Sequence, residues 1–154
     1  MIRAGADLEK SIKSVMGNSS RNDALFKRVR ELHLPNGKFA LFGSAPMGIR
    51  AIKDCHDIDI IVTEELWDEY QKKKWKVRMV PNGSSYLWRD EIELWKDWKP
   101  GEWNVGQLIK NAEMIVGLPF VRLEEVVKWK KLNGREKDLR DIDMIEQFQK
   151  RNEQ

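Results

Sequence analysis

The sequence predicts an α+β domain, a mixed sheet flanked by helices. Three observations carry that prediction. Short apolar runs suited to strands, Phe39–Phe42 and the alternating Asp57–Val62 foremost, are interleaved with segments whose apolar residues recur at three- and four-residue spacing. Turn signals at Pro35-Asn36-Gly37, Pro81-Asn82-Gly83 and Asn133-Gly134 punctuate them. The 154 residues suit one core, with little room for a separate substrate domain.

In chain order, Leu8, Ile12 and Val15 predict a helix stopped by Gly17-Asn18. A second follows over Arg21–Leu32, with Leu25, Phe26, Val29 and Leu32 on one face and Ser19, Ser20 or Asn22 available as caps. The strand Lys38–Phe42 leads through Gly43-Ser44 and a short helix into the strand Asp57–Val62. Thr63 then caps a helix with Glu64 and Glu65 in its first turn and Leu66, Trp67 and Tyr70 inward. It ends in Gln71–Trp75 (QKKKW), which reads either as a solvated helix end or as a landing strip for a polyanion. Three extended stretches come next, Lys76–Val80, Ser84–Trp88 and Asp90–Leu94, the first two as a hairpin. Trp95–Trp103 is an aromatic loop whose tryptophans either roof the core or stack on a base or substrate ring. Asn104–Asn111 is a short helix, Met114–Val121 an extended stretch, and Arg122–Leu132 a helix with Leu123, Val126 and Val127 inward. The last helix, Glu136–Gln149, is expected to bury Leu139, Ile142, Ile145 and Phe148.

Composition narrows the function classes. With 41% hydrophobic and 34% charged residues, the chain reads as a soluble globular protein. A net charge of +3 is too small to imply nucleic-acid binding by itself. One cysteine excludes an intrachain disulfide, which fits a cytoplasmic location, and the first residues show no apolar run expected of a signal peptide or membrane anchor. Seven tryptophans suggest large side chains used as core or cleft walls.

The chemistry concentrates between Lys38 and Thr63. Side chains of a strand alternate, so Asp57 and Asp59 share one face while Ile58 and Ile60 enter the opposite layer. Two adjacent carboxylates repel unless a cation or a proton is shared between them, so both are candidate metal ligands. Across the turn, Gly43 lets backbone approach a phosphate, and Ser44 with the amides of the following helix start is a candidate phosphate cradle. Arg50 serves either to neutralise phosphate or in a structural ion pair. Gly43 and Gly48 have P-loop spacing, but Ile49-Arg50 stands where Lys and Ser or Thr are needed. Cys55 with His56 lacks the ligand set of a zinc site.

Phe42-Gly43-Ser44, a twelve-residue spacer and Asp57-Ile58-Asp59-Ile60 together resemble the signature of the nucleotidyltransferase superfamily. A second stretch, Arg135-Glu136-Lys137-Asp138-Leu139-Arg140-Asp141-Ile142, is similar to the R-x-K-D-x-x-D-I helix late in many antibiotic- and abortive-infection-type members. The resemblance implies a polymerase-beta-like nucleotidyltransferase fold as a single domain over 1–154. Helices would occupy 1–37, the sheet and site 38–121, and further helices 122–154. It implies transfer of a nucleoside monophosphate from a triphosphate such as ATP to a hydroxyl or phosphate acceptor on a small molecule, RNA or protein, with Mg²⁺ or Mn²⁺ on Asp57 and Asp59. It also implies a third carboxylate on a neighbouring strand, for which Glu93 is the candidate base, the other reading of Glu93 being an exposed strand residue. Lys137 would reach the nucleotide, while Asp138 and Asp141 cap the last helix and pair with Lys or Arg. The alternatives are a non-catalytic nucleotide- or RNA-binding module, and the nucleotidyltransferase toxin of a toxin–antitoxin pair, which would add a partner protein.

Overall fold

The computed structural model describes residues 20–152; the helix expected around Leu8, Ile12 and Val15 lies outside them. Six helices and seven strands follow in the order α1 (Ser20–Glu31), β1 (Phe39–Phe42), α2 (Ala45–Gly48), β2 (Ile58–Val62), α3 (Glu64–Lys72), β3 (Lys76–Met79), β4 (Ser85–Arg89), β5 (Ile92–Trp95), α4 (Val105–Lys110), β6 (Glu113–Ile115), β7 (Leu118–Phe120), α5 (Leu123–Asn133) and α6 (Glu136–Asn152). The strands form one mixed sheet ordered β3-β4-β5-β2-β1-β7-β6. Pairings β1–β7 and β2–β5 are parallel, the others antiparallel.

Strand alternation divides the core into two layers. Leu41, Ile58, Ile60, Leu87 and Leu94 pack under α1 and α3, against Phe26, Val29, Leu66 and Trp67. Ala40, Phe42 and Ile61 face the other way, toward Leu108 of α4, Val126 of α5 and Ile145 of α6. The first layer holds because α1 and α3 carry apolar residues at three- and four-residue spacing. Thr63 fixes the start of α3, its hydroxyl accepting from the Leu66 amide at 3.2 Å, while Glu64 and Glu65 meet the positive end of the helix dipole. Gly134, at φ 66°, closes α5 in the left-handed conformation.

The structure departs from the expected pattern at several places; Asp90-Glu91, expected to open a strand, is instead the turn between β4 and β5. Met114–Val121 is not one extended stretch but the β6–β7 hairpin, turning at Val116 (φ 49°) and Gly117 (φ 80°). Both central residues have positive φ, as a two-residue primed turn requires, and β-branched Val116 is strained there. Arg30 holds it, donating to the Val116 carbonyl at 3.0 and 3.2 Å. Trp95 belongs to β5 rather than to the loop after it. Leu139 is exposed, whereas Asp138, Asp141, Ile142 and Ile145 form the buried face of α6. Helical spacing permits either face; the two aspartates turn inward because Lys130 of α5 waits there, bonded to Asp141 at 2.8 Å. Among the described residues no helix is long and apolar enough to cross a membrane.

Candidate functional site

Register builds the site. The parallel pairing of β2 with β5 sets Asp59 opposite Glu93, and β1 sets Phe42 on the other side of Asp59. Directly paired residues share a face, so the carboxyls of Asp59 and Glu93 emerge together from adjacent strands about 4.8 Å apart. Asp57, two residues upstream of Asp59, opens onto the same cleft of about 280 Å³. Asn82, Ser84 and Lys99 also line it, and Trp95, Trp98 and Trp129 form its aromatic wall.

The loop that delivers Asp57 is pinned from α1. Fully buried Asn22 accepts from the Cys55 amide at 2.8 Å and donates to the Lys53 carbonyl at 3.2 Å. Lys53 in turn reaches both Asp141 oxygens, at 3.1 and 3.2 Å, tying the loop to α6. Gly43 follows β1 at φ 60°, and a Cβ there would run into the Asp59 carboxylate. Only glycine fits both the backbone angle and that close approach.

Like charges crowded in a half-buried cleft raise their own affinity for protons. Burial pushes the Asp59 carboxyl well above the usual range, the negative charge and hydrogen bond of Glu93 push it further, and Asp57 adds to this. Trp95 works the other way, donating from Nε1 to Asp59 Oδ1 at 3.2 Å. Glu93 is also raised, first by burial; the hydrogen bond from Asp59 opposes that shift, as does the Arg78 charge. Both carboxyls therefore hold protons more tightly than isolated acids, Asp59 above all.

The other residues expected at the site, Ser44, Arg50 and Lys137, are not among those lining the cleft, although Ser44 directly follows Gly43, which abuts Asp59. Ser44 begins α2 without a side-chain cap bond, and its carbonyl is taken by the Met47 and Gly48 amides and the Cys55 thiol. Arg50 takes the structural option: it donates to the Pro46 carbonyl at 2.7 Å and forms an ion pair with Glu113. Burial lowers its pKa and Glu113 raises it. Lys137 lies beside a different cavity, together with Lys53, Arg140 and Asp141, because the inward turn of Asp138 and Asp141 aims it away from the sheet. Cys55 is buried, its thiol pushed up by that burial, and His56 is exposed.

Several residues at or beside the cleft were not expected from the sequence, Asn82, Ser84 and Trp129 among them. Lys99 lines it, and Trp88 and Arg78 stand behind Glu93, since Trp88 pairs directly with Glu93 across β4–β5. The available signal was the two-residue turn Asp90-Glu91, with Asp90 at φ 55°, which fixes that register. The loop tryptophan Trp98 roofs the core, as one of the two readings expected. Trp98 stacks on Phe42 in the core at 4.6 Å and also lines the cleft, as does Trp129 of α5. Among the described residues, no three His, Cys, Asp or Glu side chains are gathered tightly enough to form a metal cluster by themselves. Comparison with family models, curated proteins and solved structures gives no match, so the reading of the site rests on its own geometry.

Proposed function

We propose that this chain is a nucleotidyltransferase of the polymerase-beta-like fold. In this reading the cleft holds a nucleoside triphosphate and passes its monophosphate to an acceptor oxygen. The observation that carries the reading is the β2–β5 register, which sets Asp59 against Glu93 with Asp57 on the same cleft. Carboxyls collected at one cleft repel one another, and the raised proton affinity of Asp59 and Glu93 supports a reading in which a positive species is bound beside them.

The donor set fits a hard cation. Asp57 and Asp59 offer only oxygen, as Mg²⁺ and Mn²⁺ prefer, and Mg²⁺ is usually held by one or two carboxylates plus substrate phosphates and water, so no closed protein cluster is required. When bound, such an ion neutralises phosphate charge and aligns the attacking and leaving oxygens. The protein's own residues supply the rest. Trp95 orients Asp59 through its indole N–H, Lys99 brings a positive charge to the cleft, and Glu93 is placed to take the acceptor's proton. The acceptor oxygen bonds to the α-phosphorus, the bond from that phosphorus to pyrophosphate breaks, and the acceptor proton passes to the Glu93 carboxylate.

Incubation with each labelled triphosphate, Mg²⁺ and a cell lysate tests the proposal; label should move to one acceptor class with pyrophosphate released. No transfer and no binding of any triphosphate would overturn it. Glu93→Gln is expected to lower turnover by about 10²- to 10⁴-fold, the range of a lost general base, while triphosphate affinity changes little. Equal losses in turnover and binding would make Glu93 a metal ligand instead.

A further inference from the structure

From Gln71 to Arg89 the chain contains six basic residues, Lys72, Lys73, Lys74, Lys76, Arg78 and Arg89, and no acid. Among the described residues only Lys73 of these is ion-paired, with Glu69 one helical turn away. β3, which carries Lys76 and Arg78, is exposed along its whole length at the open edge of the sheet.

The register connects this charge to the cleft. Lys76 pairs with Trp88, Trp88 with Glu93, and Glu93 with Asp59, so one cross-strand row on a single face runs from the sheet edge to the carboxylates. Trp88 lies under two cations, the Lys76 ammonium 5.1 Å and the Arg78 guanidinium 4.7 Å from its ring centre. The neighbouring row repeats the pattern: Arg78 pairs with Tyr86, Tyr86 stacks on Trp95 at 4.5 Å, and Trp95 donates to Asp59. Three strand spacings separate Lys76 from Asp59, about 14 Å, the length of about four stacked nucleotides.

We propose that this edge binds single-stranded RNA and delivers its terminal hydroxyl to the cleft. The inference rests on the nucleotidyl-transfer reading, since it names that reaction's acceptor. Cations with no acidic partner attract phosphates, and the half-buried rings of Trp88 and Trp95, not the buried Tyr86, offer stacking surface to bases without demanding a sequence. An acidic protein or an anionic membrane would match the charge but would make no use of rings running inward to a reactive site. Val77 and Met79, exposed on the other face of β3, lie off this track.

The test is fluorescence anisotropy of the whole chain with a labelled single-stranded oligoribonucleotide, titrated at several salt concentrations without triphosphate or divalent cation. Wild type should bind with log K falling linearly against log salt. Lys76→Ala with Arg78→Ala should flatten that slope by about 1.4, two phosphate contacts at about 0.7 each. Trp88→Ala should weaken binding about tenfold and Trp88→Phe should restore most of it. Asp57→Asn with Asp59→Asn should keep RNA binding while losing triphosphate binding, so the two readings fail separately. Absence of binding at low salt, an unchanged slope in the double variant, or equal binding of the same-sequence DNA, an acidic peptide or phosphatidylserine vesicles would overturn the assignment to RNA.

Discussion

Asp57→Asn combined with Asp59→Asn is expected to abolish the rise in Tm that Mg²⁺ and a nucleoside triphosphate give the wild-type chain, without unfolding it. A ligand present at a hundred times its Kd stabilises the native state by about 2.7 kcal/mol. For a chain of this size each kcal/mol moves Tm by about 2–4 °C, so the wild-type shift should be roughly 5–10 °C and the variant's near zero. The fold should survive because an amide of the same shape removes a buried charge beside Glu93 and offers a donor toward it. Retention of the full shift in the variant would place the triphosphate elsewhere.

The same pair sets a pH signature. An acid whose folded pKa is raised keeps a proton that the unfolded chain gives up, so it lowers stability as pH rises. Below about pH 4 both states are protonated and the penalty is absent; it grows as pH climbs through the raised Asp59 value and then stays constant. Thermal melts of Asp59→Asn and wild type should therefore diverge in favour of the variant as pH rises above about 4. Parallel curves would contradict the raised Asp59 value. Asp138 is lowered, because Arg135 outweighs its burial, and so loses stability only on the acid side; it is common to both proteins and cancels in the difference.

Lys130→Met should cost the most stability of any single change considered. Lys130 is 4% exposed and lies between Asp141 at 2.8 Å and Asp138 at 3.7 Å, so its ammonium neutralises two buried carboxylates where α5 packs on α6. Removing one partner of a buried ion pair strands the other charge in low dielectric, a loss of about 3–5 kcal/mol. Arg135 still holds Asp138 and Lys53 still holds Asp141, which argues for the lower end, about 3 kcal/mol, or roughly a 10 °C fall in Tm. A fall under about 2 °C would mean that those two partners alone neutralise the pair. The triple variant with Asp138→Asn and Asp141→Asn should recover most of the loss, since no charge is then left unpaired.

What was legible in the sequence was local. Thr63 with its two glutamates, the alternation that separates Asp57 and Asp59 from Ile58 and Ile60, and Gly134 at the helix stop each depend on neighbours within a few residues. What depended on partners far along the chain was not. Arg50 had two equal uses until the fold brought Glu113 to it, 63 residues away. Leu139 looked like core because its apolar character was local, whereas the inward turn of Asp138 and Asp141 came from Lys130 on another helix. Lys137 was carried by resemblance alone, and the same turn took it from the cleft. Glu93 could be chosen as a strand carboxylate, but its place directly opposite Asp59 is a fact of strand pairing.

That pairing also decides when in folding the site comes into being. β2 and β5 are parallel neighbours, yet α3 and the β3–β4 hairpin lie between them in sequence. A parallel pair requires such a crossover, and closing it is an entropic cost met only when the hydrophobic layers form with it. Each hairpin can nucleate by itself, but none contains both Asp59 and Glu93. A nascent or partly folded chain thus displays Asp57 and Asp59 without Glu93, and the three acids meet only with the long-range pairing of β2 and β5.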